Sequence, residues 1–203
     1  MKKNILSLLF IVCCTLSQLS AQKVATLGLQ WSSSRLSYNI PFEGFNMGSE
    51  LSTFGYLSWG RYLIVAPEIG LRQQDRSFTP INLNLLRHRF RSVHVKMSML
   101  FPFSKSYREQ NHGWFATIGF SQNLRFNIYE EEWSNGELVS VVNFAGGGSE
   151  GDLHIGLGYM RPISEVLQLS IRGEYAEGTL GQIEFRRNEL SLAVGLGFQL
   201  GRN

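Results

Sequence analysis

The sequence has almost no cysteine, little proline and, beyond its first two dozen residues, no long hydrophobic run. Its two cysteines, Cys13 and Cys14, both lie in an N-terminal leader. The chain that follows therefore has no means of forming a disulfide or a thiolate metal site, although the leader marks it for export. No stretch of eighteen apolar residues follows the leader, which excludes a spanning helix. Neither sign of charge is in excess. Lys and Arg total 19 against 16 Asp and Glu, and setting aside Lys2 and Lys3 of the leader brings the balance to +1. A nucleic-acid partner would call for a basic patch, and none is present. Proline numbers 5 and glycine 21, a balance that suits a turn-rich sheet protein better than a helical one.

The leader is a signal peptide covering residues 1–21. Lys2 and Lys3 supply a positive start, Ile5 to Leu16 an apolar core, and Leu19-Ser20-Ala21 a cleavage site before Gln22. A lipoprotein leader would need a small residue ahead of its modified cysteine, and Val12 precedes Cys13. Residues 22–203 then form one domain, and no peptidoglycan-binding domain is expected after the last strand.

What that domain does contain is alternation. Eight segments place large apolar residues at every second position, the signature of two-sided strands. They cover about 23–32, 45–59, 61–73, 91–103, 113–127, 152–161, 165–177 and 189–203. The last is the clearest: Leu190, Leu192, Val194, Leu196, Phe198 and Leu200 alternate with Glu189, Ser191, Ala193, Gly195, Gly197 and Gln199. The connections alternate as well. SWGR and RPIS are tight, whereas SSRLSYNIPFEG, QDRSFTPINLNLLRHRF, EGTLGQIEFRRN and the acidic stretch 130–151 are long.

Alternation alone fits two architectures. A soluble lipocalin-like barrel turns its apolar face inward, and a membrane barrel turns it outward to lipid. Three features favour the second. The polar faces are small and glycine-rich, with lysine restricted to Lys23, Lys96 and Lys105 after the leader, which suits a crowded narrow interior. Aromatics cluster at the strand ends: Trp59, Tyr62, Trp114, Tyr159 and Phe198 at one end, Trp31, Phe45, Phe126 and Tyr175 at the other, as two interfacial girdles require. No charged residue stands on the apolar side in mid-strand, where a lipid-facing Arg or Lys would cost roughly 2–4 kcal/mol. The fold class expected is all-β, an eight-stranded antiparallel up-and-down transmembrane β-barrel in the outer membrane, with short periplasmic turns and longer outer loops.

The leader ending SAQ, GFNMGSEL at the start of the second strand, APEIGL in the third and the terminal GLGF resemble the small outer-membrane β-barrel family of Bacteroidota-type bacteria often labelled PorT-like. The resemblance spans the mature chain and implies the same fold and location. That family commonly has a proline and a further lysine in its fourth strand; VHVKMSMLF here has Lys96 and no proline.

Candidate chemistry sits on the inward face. Glu50, Glu68, Lys96, His154, Arg172 and Glu174 fall near mid-lumen by residue count, flanked by Arg72, His94, Arg125, Asp152 and Glu189. The expectation is a self-neutralising network filling the lumen, since a single buried charge would be costly. An acyl-transferring or hydrolytic site would need a nucleophile, a base and an orienting acid. His154 with Asp152 or Glu174, and Ser121 or Ser170, supply those residue types, but a lipid-modifying site would face lipid, where no histidine stands. No enzyme activity, cofactor or metal is expected. Arg87, Arg89 and Arg91 continue the outward face of the fourth strand just above the lipid band, where three guanidinium groups suit lipopolysaccharide phosphates. The expected partners are outer-membrane lipid, lipopolysaccharide and an envelope protein; the competing functions are a soluble periplasmic lipocalin-like binder and a lipid-modifying enzyme. The stretch 130–151 holds five glutamates and no Lys or Arg, and reads as an acidic surface loop.

Overall fold

A computed structural model describes residues 24–38, 46–59, 63–78, 85–104, 112–145, 148–180 and 187–200. The signal peptide, Phe45 and Tyr62 lie outside these residues, as does the side chain of Trp59.

The described chain forms nine antiparallel strands: β1 (Val24–Tyr38), β2 (Met47–Trp59), β3 (Leu63–Phe78), β4 (Leu85–Pro102), β5 (Gly113–Ser134), β6 (Glu137–Phe144), β7 (Gly148–Pro162), β8 (Leu167–Leu180) and β9 (Arg187–Gln199). Eight close into a ring in the order β1-β2-β3-β4-β5-β7-β8-β9, with β9 returning to β1 through pairs such as Leu29↔Leu196 and Trp31↔Val194. β6 pairs with β5 above the ring. Closure removes free edges from the ring itself.

The side chains stand as the period-2 pattern requires. Leu51, Ile69, Leu71, Ile155, Leu157 and Leu190 are each more than half exposed on the outer wall. Glu50, Glu68, Lys96, His154, Arg172 and Glu174 are buried on the inner one. An apolar belt around a closed ring is far larger than a water-soluble surface tolerates. This orientation is the reverse of the lipocalin-like alternative. The girdles are present where described: Trp114 stacks edge-on against its cross-strand partner Tyr159 with ring centroids 5.2 Å apart, and Trp31, Phe126 and Tyr175 stand exposed toward the other rim.

The lumen is layered. Toward the periplasmic end, Phe54, Tyr56, Ile64, Ala66, Leu100, Phe115 and Met160 form a buried apolar plug. Glycines make room for its two phenyl rings. A Cβ on Gly158 would lie 2.2 Å from the Phe115 ring, and one on Gly28 would lie 2.6 Å from that of Phe54. Pro67 faces outward in β3 and still pairs with Met97 of β4. The β2–β3 ladder, however, runs to Phe54↔Glu68 and resumes at Leu57↔Val65, a gap opposite a residue with no N–H to give.

Two expectations need correction. Most strands run several residues beyond the alternating segments at their outer ends: β1 takes in Ser33 to Tyr38, which had read as loop, and β4 begins at Leu85 rather than Arg91. The acidic stretch 130–151 is a hairpin and the start of a strand, not a loop. β5 continues to Ser134, turns at Asn135-Gly136 and returns as β6. Both turn residues have positive φ, 52° and 82°, as a type I′ turn demands. Asn135-Gly136 was the sequence signal for it.

Candidate functional site

The residues read as mid-lumen converge above the apolar plug. Inward alternation on β1, β2, β3, β4, β7, β8 and β9 brings Gln30, Glu50, Glu68, Arg72, His94, Lys96, His154, Arg172, Glu174 and Glu189 around one small cavity. All six core members expected from the sequence are there. Arg72, His94 and Glu189, placed at its margin, line it too. Gln30 was missed, although it shares the parity of Gly28 and Ser32.

Arg172 is the hub. Its Nη2 donates to Glu68 Oε2 at 2.8 Å, its Nη1 lies 2.6 Å from Glu68 Oε1, and its Nε lies 3.3 Å from Glu174 Oε2. The planar fork meets the carboxylate on two prongs, which a lysine would not do. Lys96 donates to Glu174 from β4. Gln30 spans the same pair, giving its Nε2 to Glu68 at 3.2 Å and accepting from Arg172 at 3.3 Å. On the other side of the cavity, Arg72 donates to Glu189 and to Asn123 Oδ1, and Asn123 passes on to Asp152 Oδ2 at 3.0 Å. His94 Nδ1 lies 2.7 Å from Glu50 Oε2. Nearer the outer mouth, Arg125 pairs with Glu150 and stacks over the Phe90 ring at 4.4 Å.

Ser121 Oγ and His154 Nε2 stand 2.6 Å apart, so the hydroxyl–imidazole pair foreseen in the sequence does form. Its third member does not. Asp152 is held by Asn123, Glu174 by Lys96 and Arg172, and His154 Nδ1 has no hydrogen-bond partner among the described residues. The space left for solvent is about 20 Å³, room for one water molecule and no acyl chain. Among the described residues no three His, Cys, Asp or Glu side chains are arranged to hold a metal ion.

The arginine row stands on the outer wall as expected, within β4 itself. Arg87 and Arg89 approach Asp75 of β3 at 3.7 Å and 2.9 Å. Arg91 is exposed, with its guanidinium 5.7 Å from the Tyr129 ring centroid. Asp75 thus offsets one of three positive charges.

Comparison with solved structures bears on this geometry. Ail, the attachment invasion locus protein of Yersinia pestis, superposes with a TM-score of 0.50 at 11% identity, covering 88% of this chain and 99% of that one. The fold is that of a small outer-membrane β-barrel. Neisserial surface protein A matches with a TM-score of 0.48 at 11% identity over 84% of this chain and 94% of its own. OprG from Pseudomonas aeruginosa matches at 0.41 and 9% over 88% and 97%. At these identities the fold alone is shared. No protein-family model matches the chain, and no curated protein does.

Proposed function

We propose that the mature chain resides in the outer membrane as an integral β-barrel with a closed, charge-paired lumen. Its role is structural or interactive, and its outer strands and loops are the contact surface. The apolar belt surrounding a ring whose interior is occupied by a plug and a salt-bridge network carries the reading. It provides a surface that only lipid satisfies and no passage for a solute. The buried Ser121–His154 pair lacks both an orienting acid and space for a substrate, which favours a non-enzymatic role. Narrower kinship with the PorT-like barrels rests on GFNMGSEL, APEIGL and GLGF. Lipopolysaccharide is the lipid partner the outer wall fits best: Arg87, Arg89 and Arg91 stand in one row above Val93 and Val95, where phosphates meet the belt.

The test is purification from outer membranes in mild detergent. The wild type should run with heat-modifiable gel mobility and carry lipopolysaccharide, and the Arg87→Ala, Arg89→Ala, Arg91→Ala triple variant should keep the mobility shift and lose most of the lipid. Unchanged lipid in the variant would remove the arginine row from the reading. A chain that stays monomeric and folded without amphiphile would remove the membrane.

A further inference from the structure

The outer end of the lipid belt is marked by the cross-strand register of β3, β4 and β5. One row of partners on the outer wall is Leu71, Val93 and Leu124, apolar throughout. The next row toward the outer rim is Gln73, Arg91 and Asn127, which holds no apolar residue and no acid. Hydrocarbon therefore gives way to headgroup within one step of the pleat. Asn127 owes its place to a bulge. Arg91 pairs with Asn127 and Ser92 with Arg125, so Phe126 is the extra residue, and Phe126 and Asn127 follow one another on the outer wall.

The three arginines of β4 are not equivalent. Arg89 donates from Nε to Asp75 at 2.9 Å. Arg87 lies 3.7 Å from the same carboxylate and stands across from Glu131. Arg91 is exposed, and both of its cross-strand partners are amides. Its guanidinium lies 5.7 Å from the Tyr129 ring centroid, a contact that steadies the side chain and leaves its in-plane N–H groups available. Asn127 Oδ1 has no hydrogen-bond partner among the described residues, so this amide is uncommitted as well.

We propose that Arg91, between Gln73 and Asn127, is the seat of a phosphate monoester on lipid A, the lipid anchor of lipopolysaccharide. A monoester presents three terminal oxygens. Two accept the guanidinium fork, and the third accepts from a flanking amide. The phosphodiester of a phospholipid presents only two. The apolar row beneath Arg91 takes acyl chains of the same molecule, a surface that free phosphate would leave uncovered. Arg87 and Arg89 are occupied by neighbouring carboxylates and add attraction at a distance. This inference deepens the lipopolysaccharide reading of the arginine row and rests on it.

The experiment uses the mature chain refolded in neutral detergent micelles, with heat-modifiable mobility verified for every variant. The probes are lipid A carrying its phosphates, the same lipid A after phosphatase treatment, phosphatidylglycerol and inorganic phosphate. Binding is read by native mass spectrometry and by phosphorus NMR. Arg91→Ala should weaken phosphorylated lipid A by about tenfold or more. Arg91→Lys, which keeps the charge and loses the fork, should fall between wild type and Arg91→Ala. The Arg87→Ala, Arg89→Ala double variant should weaken binding less than Arg91→Ala does. Arg161→Ala, exposed at the periplasmic end of β7, should bind as wild type does. Full binding by Arg91→Ala with loss in the double variant overturns the assignment to Arg91 and leaves the lipopolysaccharide reading standing. Equal binding of phosphatase-treated lipid A overturns the phosphate contact, and equal binding of phosphatidylglycerol overturns the choice of a monoester. Inorganic phosphate that competes at the concentration of lipid A overturns the part given to the apolar row. Full binding by the triple variant overturns the lipopolysaccharide reading, and this inference falls with it.

Discussion

Arg172 of β8 grips Glu68 from across the lumen and Glu174 from its own strand, and all three are buried. A lone buried charge of this kind is far more costly than the pair. Arg172→Met should therefore destabilise the barrel by about 3–5 kcal/mol, because Glu68 is left without its fork. Adding Glu68→Leu should recover much of that loss, leaving Glu174 to Lys96. Urea titrations of gel mobility in lipid vesicles would measure both, and a double variant no more stable than the single one would show that the pair is not the unit of stability. The plug offers a second residue-scale test. Gly158→Ala must displace the Phe115 ring and should cost about 1–3 kcal/mol. Gly173→Ala on the outer wall, where an added Cβ meets nothing within 4 Å, should change the same urea midpoint little. These inward identities were readable in advance because parity assigns each strand residue to one face. Partner choice was not. Which of five acids meets which base depends on stagger around the ring, and a single sequence does not carry that.

The strands themselves were legible only as far as lipid reaches. Alternation in β5 ends near Phe126 because the belt ends there. Beyond it the ladder continues through Glu130, Glu131 and Glu132 with water on its faces, and the polar–apolar period vanishes while the hydrogen bonding persists. The register shift between Arg91 and Ser92 of β4, which sets Arg91 against Asn127 and Ser92 against Arg125, falls at this same boundary. A bulge there adds twist and re-aims the protruding sheet. The hairpin above it depends on its turn. Replacing Asn135 and Gly136 with Val places β-branched residues at positive φ, which each resists. Glutamyl endopeptidase should then cut the variant rapidly between Glu130 and Glu137 and the wild type slowly, while the nicked ring, its two fragments held together by the β5–β7 and β1–β9 ladders, retains its mobility shift in unheated samples. Equal cleavage rates would mean that the turn does not hold the hairpin.

At the scale of the whole molecule, a single inversion separates this barrel from a soluble one: hydrocarbon outside, charge within. Ile118 is the position on which to test it. It lies on the outer wall of β5, paired with Met99 and Ile155, with apolar neighbours on both sides. In lipid vesicles Ile118→Arg should lower stability by about 2–4 kcal/mol, the cost of a guanidinium near the bilayer midplane. Leu138→Arg, on the equally exposed hairpin, should cost almost nothing if the hairpin rises beyond the belt, as its position past the end of the alternating segment of β5 requires. The contrast is what matters, since both substitutions replace a half-exposed aliphatic residue in a strand with the same cation. Two equal losses would mean that Ile118 and Leu138 share one solvent, and the belt would then have no lipid to face.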